Sequence, residues 1–236
     1  MSLAEEAAAQ VRGWLYDGTI ERDTFHSVPE MAQRLGMSRS PVREGLLGLA
    51  EAGLIEFVPK RGFRAVRPTG QDIAEIFALR LALEPDATAH AARDADAELA
   101  AHLRRHLAAM RDAADRADDT AFATADERLH AAILDRAGNR RLTALIAGLR
   151  DTTRLIGAST ADRSRSRADI LAEHEPIVAA VETADPDRAA HEMRTHLLAT
   201  GRLLITQAQD DGDESAWECW ASLIGEAPAR HTARQV

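Results

Sequence analysis

The stretch from Met31 to Val66 constrains this chain more than any other, because it spells two helices, a basic turn and two strands in a set order. Met31-Ala32-Gln33-Arg34-Leu35-Gly36-Met37 is a short amphipathic helix stopped by a glycine, which takes the positive φ of a helix end at least cost. Ser38 follows, where a side-chain oxygen can accept from the orphan amides of the next helix. That helix opens Arg39-Ser40-Pro41-Val42-Arg43-Glu44, with Pro41 in the first turn, where a missing N–H costs nothing. Leu46, Leu49 and Ala50 fall on its inner face, and Arg39 and Arg43, four apart, share the outer one. Gly45 and Gly48 each weaken it by up to about 1 kcal/mol against alanine. Gly53 closes the helix, and two β runs, Leu54 to Val58 and Phe63 to Arg67, flank the basic turn Pro59-Lys60-Arg61-Gly62. This order predicts a winged helix-turn-helix, a shape that reads DNA. A small helical domain with solvated arginines is the plain alternative, disfavoured because the Ser-Arg-Ser-Pro start and the wing occur together.

A chain of 236 residues, 45% of them hydrophobic, can bury two cores. Its net charge of −9 argues against a DNA binder until it is divided. Residues 1–68 carry 9 basic and 9 acidic side chains, so the deficit lies wholly in the remainder, with 20 basic and 29 acidic. Phosphates would repel that second part and leave the helix and wing as the contact surface. One cysteine, Cys219, rules out an internal disulfide and suits a reducing cytoplasm. No signal-peptide pattern and no apolar run of membrane-spanning length is present, so a cytoplasmic protein without membrane contact is expected.

From Thr69 onward alanine, leucine and arginine dominate and strand signals vanish. The fold class expected is therefore mainly α: an N-terminal winged helix-turn-helix over 1–67 and an all-helical antiparallel bundle over 70–209. Six helices are predicted in the bundle, over about 69–92, 95–117, 119–137, 139–157, 163–183 and 185–209. Thr69, Asp94, Asp118 and Asp162 are candidate N-caps, and Pro85 should kink or divide the first helix. Residues 210–236 read as an acidic, partly mobile tail, with Trp217, Trp220, Leu223 and Ile224 suited to a short packing helix.

The bundle also carries candidate metal ligands. Asp126 and His130 lie four apart on one helical face, a spacing that can hold one ion. By helical periodicity His174 falls near the centre of an apolar stripe and His196 at the border of another, whereas His191 faces outward. One carboxylate and three imidazoles would suit zinc, nickel, manganese or iron. A lone histidine on an apolar face is more often a satisfied core residue. A second pair, His102 and His106, has the same spacing with His106 inward, and spacing alone leaves both sets open.

Two resemblances bear on these readings. Asp17-Gly18, the run Leu35 to Glu44, Leu49, Gly53-Leu54-Ile55 and Lys60-Arg61-Gly62-Phe63 resemble the GntR family of bacterial transcription regulators over residues 3 to 67. The resemblance implies a dimeric regulator on a near-palindromic operator. Arg39 and Arg43 would then read bases in the major groove and Arg61-Gly62 would place the wing tip in the minor groove, with Ser38, Ser40 and Lys60 also at the DNA. The chain departs from the family at Val28-Pro29-Glu30, where an operator-touching helix start is common. Asp126-x-x-x-His130, Gly138-Asn139, Glu173-His174 with Ile177, and Met193-x-x-His196-Leu197 are similar to the FCD effector domain of the FadR subgroup, from about 70 to 207. By that resemblance Asp126, His130, His174 and His196 are the ligands of a divalent metal ion that helps hold a small carboxylate effector, and His102 and His106 are structural. Arg80, in Leu79-Arg80-Leu81-Ala82-Leu83-Glu84, would face the effector; its other reading is an ion pair with Glu84 one turn on. Arg150 and Arg154 are weaker candidates for the same site.

The expectation is a homodimeric, metal-containing transcription regulator whose operator affinity a small organic acid controls. A metal-dependent hydrolase fused to a DNA-binding segment is the competing class. No further carboxylate is evidently placed as a general base, and serine or cysteine nucleophile motifs are absent, so no catalysis is expected. A chromosome-architecture protein is the third reading, and it would need no inward Asp/His set.

Overall fold

Reciprocal caps set where several helices begin. In Ser2–Glu5, Ser27–Glu30, Thr69–Asp72 and Ser166–Asp169, the first side chain accepts from the backbone N–H of the second residue. The carboxylate of the second accepts in return from the N–H of the first. The computed structural model describes residues 1–21, 24–157, 165–208 and 214–225. They form α1 (Leu3–Tyr16), α2 (Val28–Leu35), α3 (Arg39–Glu51), β1 (Ile55–Val58) and β2 (Gly62–Ala65). The helices α4 (Gly70–Arg93), α5 (Ala97–Asp115), α6 (Asp119–Arg136), α7 (Arg140–Gly157), α8 (Arg167–Glu182), α9 (Pro186–Ala208) and α10 (Ser215–Ile224) follow.

The chain divides into two compact units, one from Met1 to Pro68 with the end of α7 from Arg150, the other from Thr69 to Leu149 with the chain after α7. In the first, α1 buries Ala7, Val11 and Leu15, one turn apart. They close on Met31 of α2, Leu46 and Leu49 of α3, and Leu54 and Phe63 at the strands. Gly45 explains how α1 and α3 pack. A β-carbon there would stand 2.6 Å from the carbonyl oxygen of Ala4, so the helix propensity lost at Gly45 permits a close backbone approach. The strands pair antiparallel with Ile55 opposite Ala65 and Phe57 opposite Phe63, and His26 adds a bridge on the far side of Phe63. Within the same unit the Tyr16 hydroxyl donates to Asp151 at 2.7 Å, and burial followed by that carboxylate raises its pKa.

The helix stop at Gly36 is found as expected, with φ 64°, and Gly53 likewise takes φ 73°. Two expectations are corrected and one is narrowed. Ser38 occupies the N-cap of α3 but makes no side-chain cap hydrogen bond. The cap would bond the N–H of the third helical residue, and that residue is Pro41, which has none. Of the two outcomes expected at Pro85, a kink or a division, division is ruled out, because α4 runs unbroken through it. The N-cap of α5 is Asp96 rather than Asp94, with Asp96 accepting from the Leu99 N–H at 2.8 Å. Thr69 and Asp118 cap as expected; Asp162 lies outside the described residues. Val28-Pro29-Glu30, the departure from the family pattern, is the capped start of α2, with Glu30 bonded to Ser27 and to His26 Nδ1.

In the second unit α4 packs along α9, α5 against α6 and α8, and α8 against α9. Phe77, Leu103, Met110, Leu129, Ile133, Ile177, Val181 and Leu197 are among its fully buried side chains. Ile146 of α7 packs with Ala87 of α4 and Leu134 of α6. The expected acidic tail contains α10, which packs on α4 with Trp220 buried; residues 209–213 and 226–236 lie outside the described residues. Gly201 of α9 makes room for this, since a β-carbon there would meet Trp220 at 2.8 Å and Phe77 at 3.0 Å. Among the described residues no helix is long and apolar enough to cross a membrane.

Candidate metal centre and nucleic-acid interface

The outer face of α3 presents Arg39, Ser40 and Arg43 to solvent, together with Glu44, Leu47 and Gly48 at helical spacing. The exposed Ser38 hydroxyl precedes them, without a capping bond. In the wing, Lys60 adopts φ 64° and Gly62 φ 101°, the two left-handed steps that turn the chain between the strands. Gly62 is fixed by space as well as by φ, with the His26 carbonyl against its α-carbon. Arg61 is exposed and lies over the Phe25 ring, 3.8 Å from its centroid. Arg64 pairs across the strands with Glu56. Arg39 and Arg43 on α3 and Lys60 and Arg61 in the wing are thus all exposed, as is Arg34 on α2.

In the second unit, His130 of α6, His174 of α8 and His196 of α9 are all buried, and one ring nitrogen from each lies within 4.8 Å of the other two. His130 and His174 meet through Nε2, 3.1 Å apart. Asp126 Oδ1 is 2.9 Å from His174 Nε2 and 3.9 Å from His130 Nε2. The four residues named from the sequence therefore come together. His191 is exposed, and His102 stacks on His106 away from this group, with their centroids 5.0 Å apart. Burial, then the charges of His102, Arg128 and Arg105, lower the pKa of His106.

The other ring nitrogens have acceptors. Nδ1 of His130 is 3.2 Å from Glu84 Oε2, Nδ1 of His174 is 2.8 Å from the Ile170 carbonyl, and Nδ1 of His196 is 2.9 Å from Glu173 Oε2. A neutral imidazole has one N–H, and these acceptors draw it to Nδ1 in each case. The Nε2 lone pairs of His130 and His174 then face each other and the Asp126 oxygen, a repulsive set unless a cation or proton sits among them. The donors, three imidazoles and a carboxylate, fit a borderline divalent ion. Burial, followed by His174, pushes the pKa of His196 down to about 3, so its imidazole is neutral, the form that ligates.

Arg80 is buried and donates from Nε to Glu84 Oε1 at 2.5 Å, the ion pair one turn on that its spacing allowed; it also lies over the Phe77 ring. Arg154 lies over the Tyr16 ring in unit one. Reading the sequence overlooked Glu84 and Glu173 as parts of the site. Glu84 reads on its own helix only as the partner of Arg80, and the one signal at Glu173 is its place beside a recognised histidine. Burial raises the pKa of Glu173, but the His196 hydrogen bond and the Arg165 charge outweigh it and leave the group below its ordinary value.

A basic helix-turn-helix with a wing, joined to an all-helical unit with a buried ligand cluster, defines a two-domain DNA-binding transcription regulator. Residues 3–64 match the model of the gntR family of bacterial regulatory proteins, and residues 75–199, over half of the chain, match the FCD domain. The chain belongs to the GntR family, in the FadR-like subgroup whose second domain is FCD, an effector-binding domain. It is 33% identical over 172 residues to a probable D-xylose utilization operon transcriptional repressor of Paenarthrobacter nicotinovorans, covering 72% of this chain and 74% of that protein. It is 31% identical over 173 residues to an uncharacterized HTH-type regulator of Streptomyces ambofaciens, covering 72% and 71%. Among solved structures, E. coli McbR/YncC shares the fold, with a TM-score of 0.78 and 21% identity over 89% of this chain and 100% of that one. The first two are transcriptional regulators by name, and the chain is a regulator rather than an enzyme.

Proposed function

We propose that a small organic acid, bound at a divalent metal ion in the FCD domain, controls the affinity of this regulator for its operator. The observation that carries the reading is the set of nitrogens and one oxygen that converge from His130, His174, His196 and Asp126. Such a set would hold zinc, nickel or manganese, and the bound ion would supply a Lewis-acid seat for a carboxylate. Arg80, paired with Glu84, would lend its guanidinium to the effector carboxylate. Ser38, Arg39, Ser40 and Arg43 would approach the major groove, and Lys60, Arg61 and Gly62 the minor groove. A homodimer would present two such readers to a two-fold operator in the bacterial cytoplasm. The effector works by population shift, favouring one placement of the readers over another.

The experiment is elemental analysis of protein purified without chelator, followed by operator titrations of metal-loaded protein with and without a panel of carboxylic acids. About one ion per chain and an acid-dependent change in operator affinity are expected. Protein that carries no ion and takes up no zinc, nickel or manganese would overturn the metal; unchanged affinity with every acid would overturn the effector class.

A further inference from the structure

Behind the converging nitrogens stand two carboxylates, each backed by an arginine. Glu84 of α4, with no exposed surface, divides its oxygens: Oε1 accepts from Arg80 Nε at 2.5 Å, and Oε2 faces His130 Nδ1 at 3.2 Å. Glu173 of α8 repeats the arrangement. Both its oxygens lie within 2.8 Å of Arg165 Nη1, which also reaches the Thr200 hydroxyl at 3.2 Å, and Oε2 faces His196 Nδ1 at 2.9 Å. The two chains, Arg80–Glu84–His130 and Arg165–Glu173–His196, start from α4 and from the segment before α8 and end at the same centre.

We infer that Glu84 and Glu173 are positioning residues that fix the tautomer and aim of His130 and His196, so that their Nε2 lone pairs point inward before an ion arrives. This rests on the metal reading above. Two arguments support it. A carboxylate at Nδ1 accepts only, so it holds the imidazole proton there and leaves Nε2 as the ligating atom. The arginine behind gives the carboxylate a counter-charge and occupies its other lone pairs, which a carboxylate buried as deeply as Glu84 requires. Glu84 also brings in α4, a helix that carries none of the four ligands. His174 needs no such relay, since the Ile170 carbonyl one turn back on its own helix accepts from its Nδ1.

Glutamine inverts this chemistry without changing shape. In Glu84→Gln the single amide oxygen goes to the Arg80 donor, which turns the NH2 group toward His130 Nδ1. That nitrogen must then accept, and the proton moves to Nε2. Glu173→Gln does the same to His196. The test is histidine side-chain 15N NMR of chelator-treated full-length protein at pH 8, together with zinc affinity by competition against a chromophoric chelator. In the wild type both His130 and His196 should be Nδ1–H tautomers. Each variant should switch its own histidine toward Nε2–H and bind zinc about 10–100-fold more weakly. A merely structural glutamate would leave the tautomer of a folded variant unmoved. Glu173 is partly exposed, so Glu173→Gln keeps the test intact if Glu84→Gln does not fold. Nε2–H tautomers in the wild type, or variants with wild-type zinc affinity, would overturn the assignment and leave the metal reading standing. No zinc uptake by the wild type would overturn both.

Discussion

The carbonyl oxygen of His26 stands 2.1 Å from where a β-carbon on Gly62 would sit, so the segment bridged to the wing closes against a residue that cannot carry a side chain. The same glycine has φ 101°, which L-residues rarely adopt. Gly62→Ala should therefore cost the reader about 1–3 kcal/mol and disorder the wing tip. Urea denaturation, together with operator titration at fixed salt, measures both effects. Wild-type stability would show that the turn can relax at no cost.

Arg39 and Arg43 are the exposed cations in the first turns of α3. Replacing either by alanine should lose about 1–3 kcal/mol of specific binding if each makes a bidentate contact to guanine. Arg61→Ala should weaken binding less selectively, because it alters the wing. Gel-shift titration on the promoter nearest its own gene is the measurement. Both α3 variants binding as tightly as wild type would place the reading surface elsewhere.

If the ligand cluster holds an ion, chelator should lower the thermal midpoint, because four ligands from three helices tie the FCD domain together. His174→Ala and His196→Ala should lose the ion and the response to a carboxylate while still binding operator. His102→Ala should retain the ion. Elemental analysis of the three variants separates these outcomes, and retention of a full equivalent in His174→Ala would remove that residue from the site.

Acid should unfold the metal-free protein early. His196 has its folded pKa pushed down to about 3 from the ordinary 6.5, so between those values the unfolded chain binds a proton that the folded chain does not. Stability is complete above pH 6.5 and falls as pH drops toward 3. Glu173, with its folded pKa lowered, adds a loss of the same sign below its ordinary 4.5. Urea midpoints of chelator-treated protein from pH 8 to pH 4 should decline, and His196→Asn should flatten the upper part of that decline. A flat profile in the wild type would mean that His196 is not held neutral.

A homodimer is expected in solution, since one winged reader serves one half-site. Light scattering should exceed the 25.6 kDa of a single chain. A monomer both free and on operator DNA would contradict it.

Local chemistry made much of this legible in the sequence. Gly36 and Gly53 announced turns because only positive φ fits there, and the apolar periodicity around His130, His174 and His196 announced that they point inward. What escaped depends on contacts between distant segments. The missing cap at Ser38 was visible in principle, because Pro41 three residues on lacks the N–H it would bond. Glu84 was not, because on its own helix it reads as the partner of Arg80, and only the fold brings His130 to its second oxygen. Glu173 likewise stood beside a recognised histidine, yet its hydrogen bond runs to His196 on the next helix. Gly201 gave no hint at all until α10 laid Trp220 across it.

The contact of Gly45 with Ala4 also limits how this regulator could be retargeted. Position 45 lies in the middle of α3, yet any side chain there would push α3 off α1 and shift every residue that faces outward. Within α3, a new operator preference has to come from exposed positions such as 39, 40, 43, 44, 47 and 48. A randomised library that varies those six and holds 45 as glycine would spend its diversity on recognition. One that opens 45 would fill with chains whose reader is misaligned whatever letters they carry.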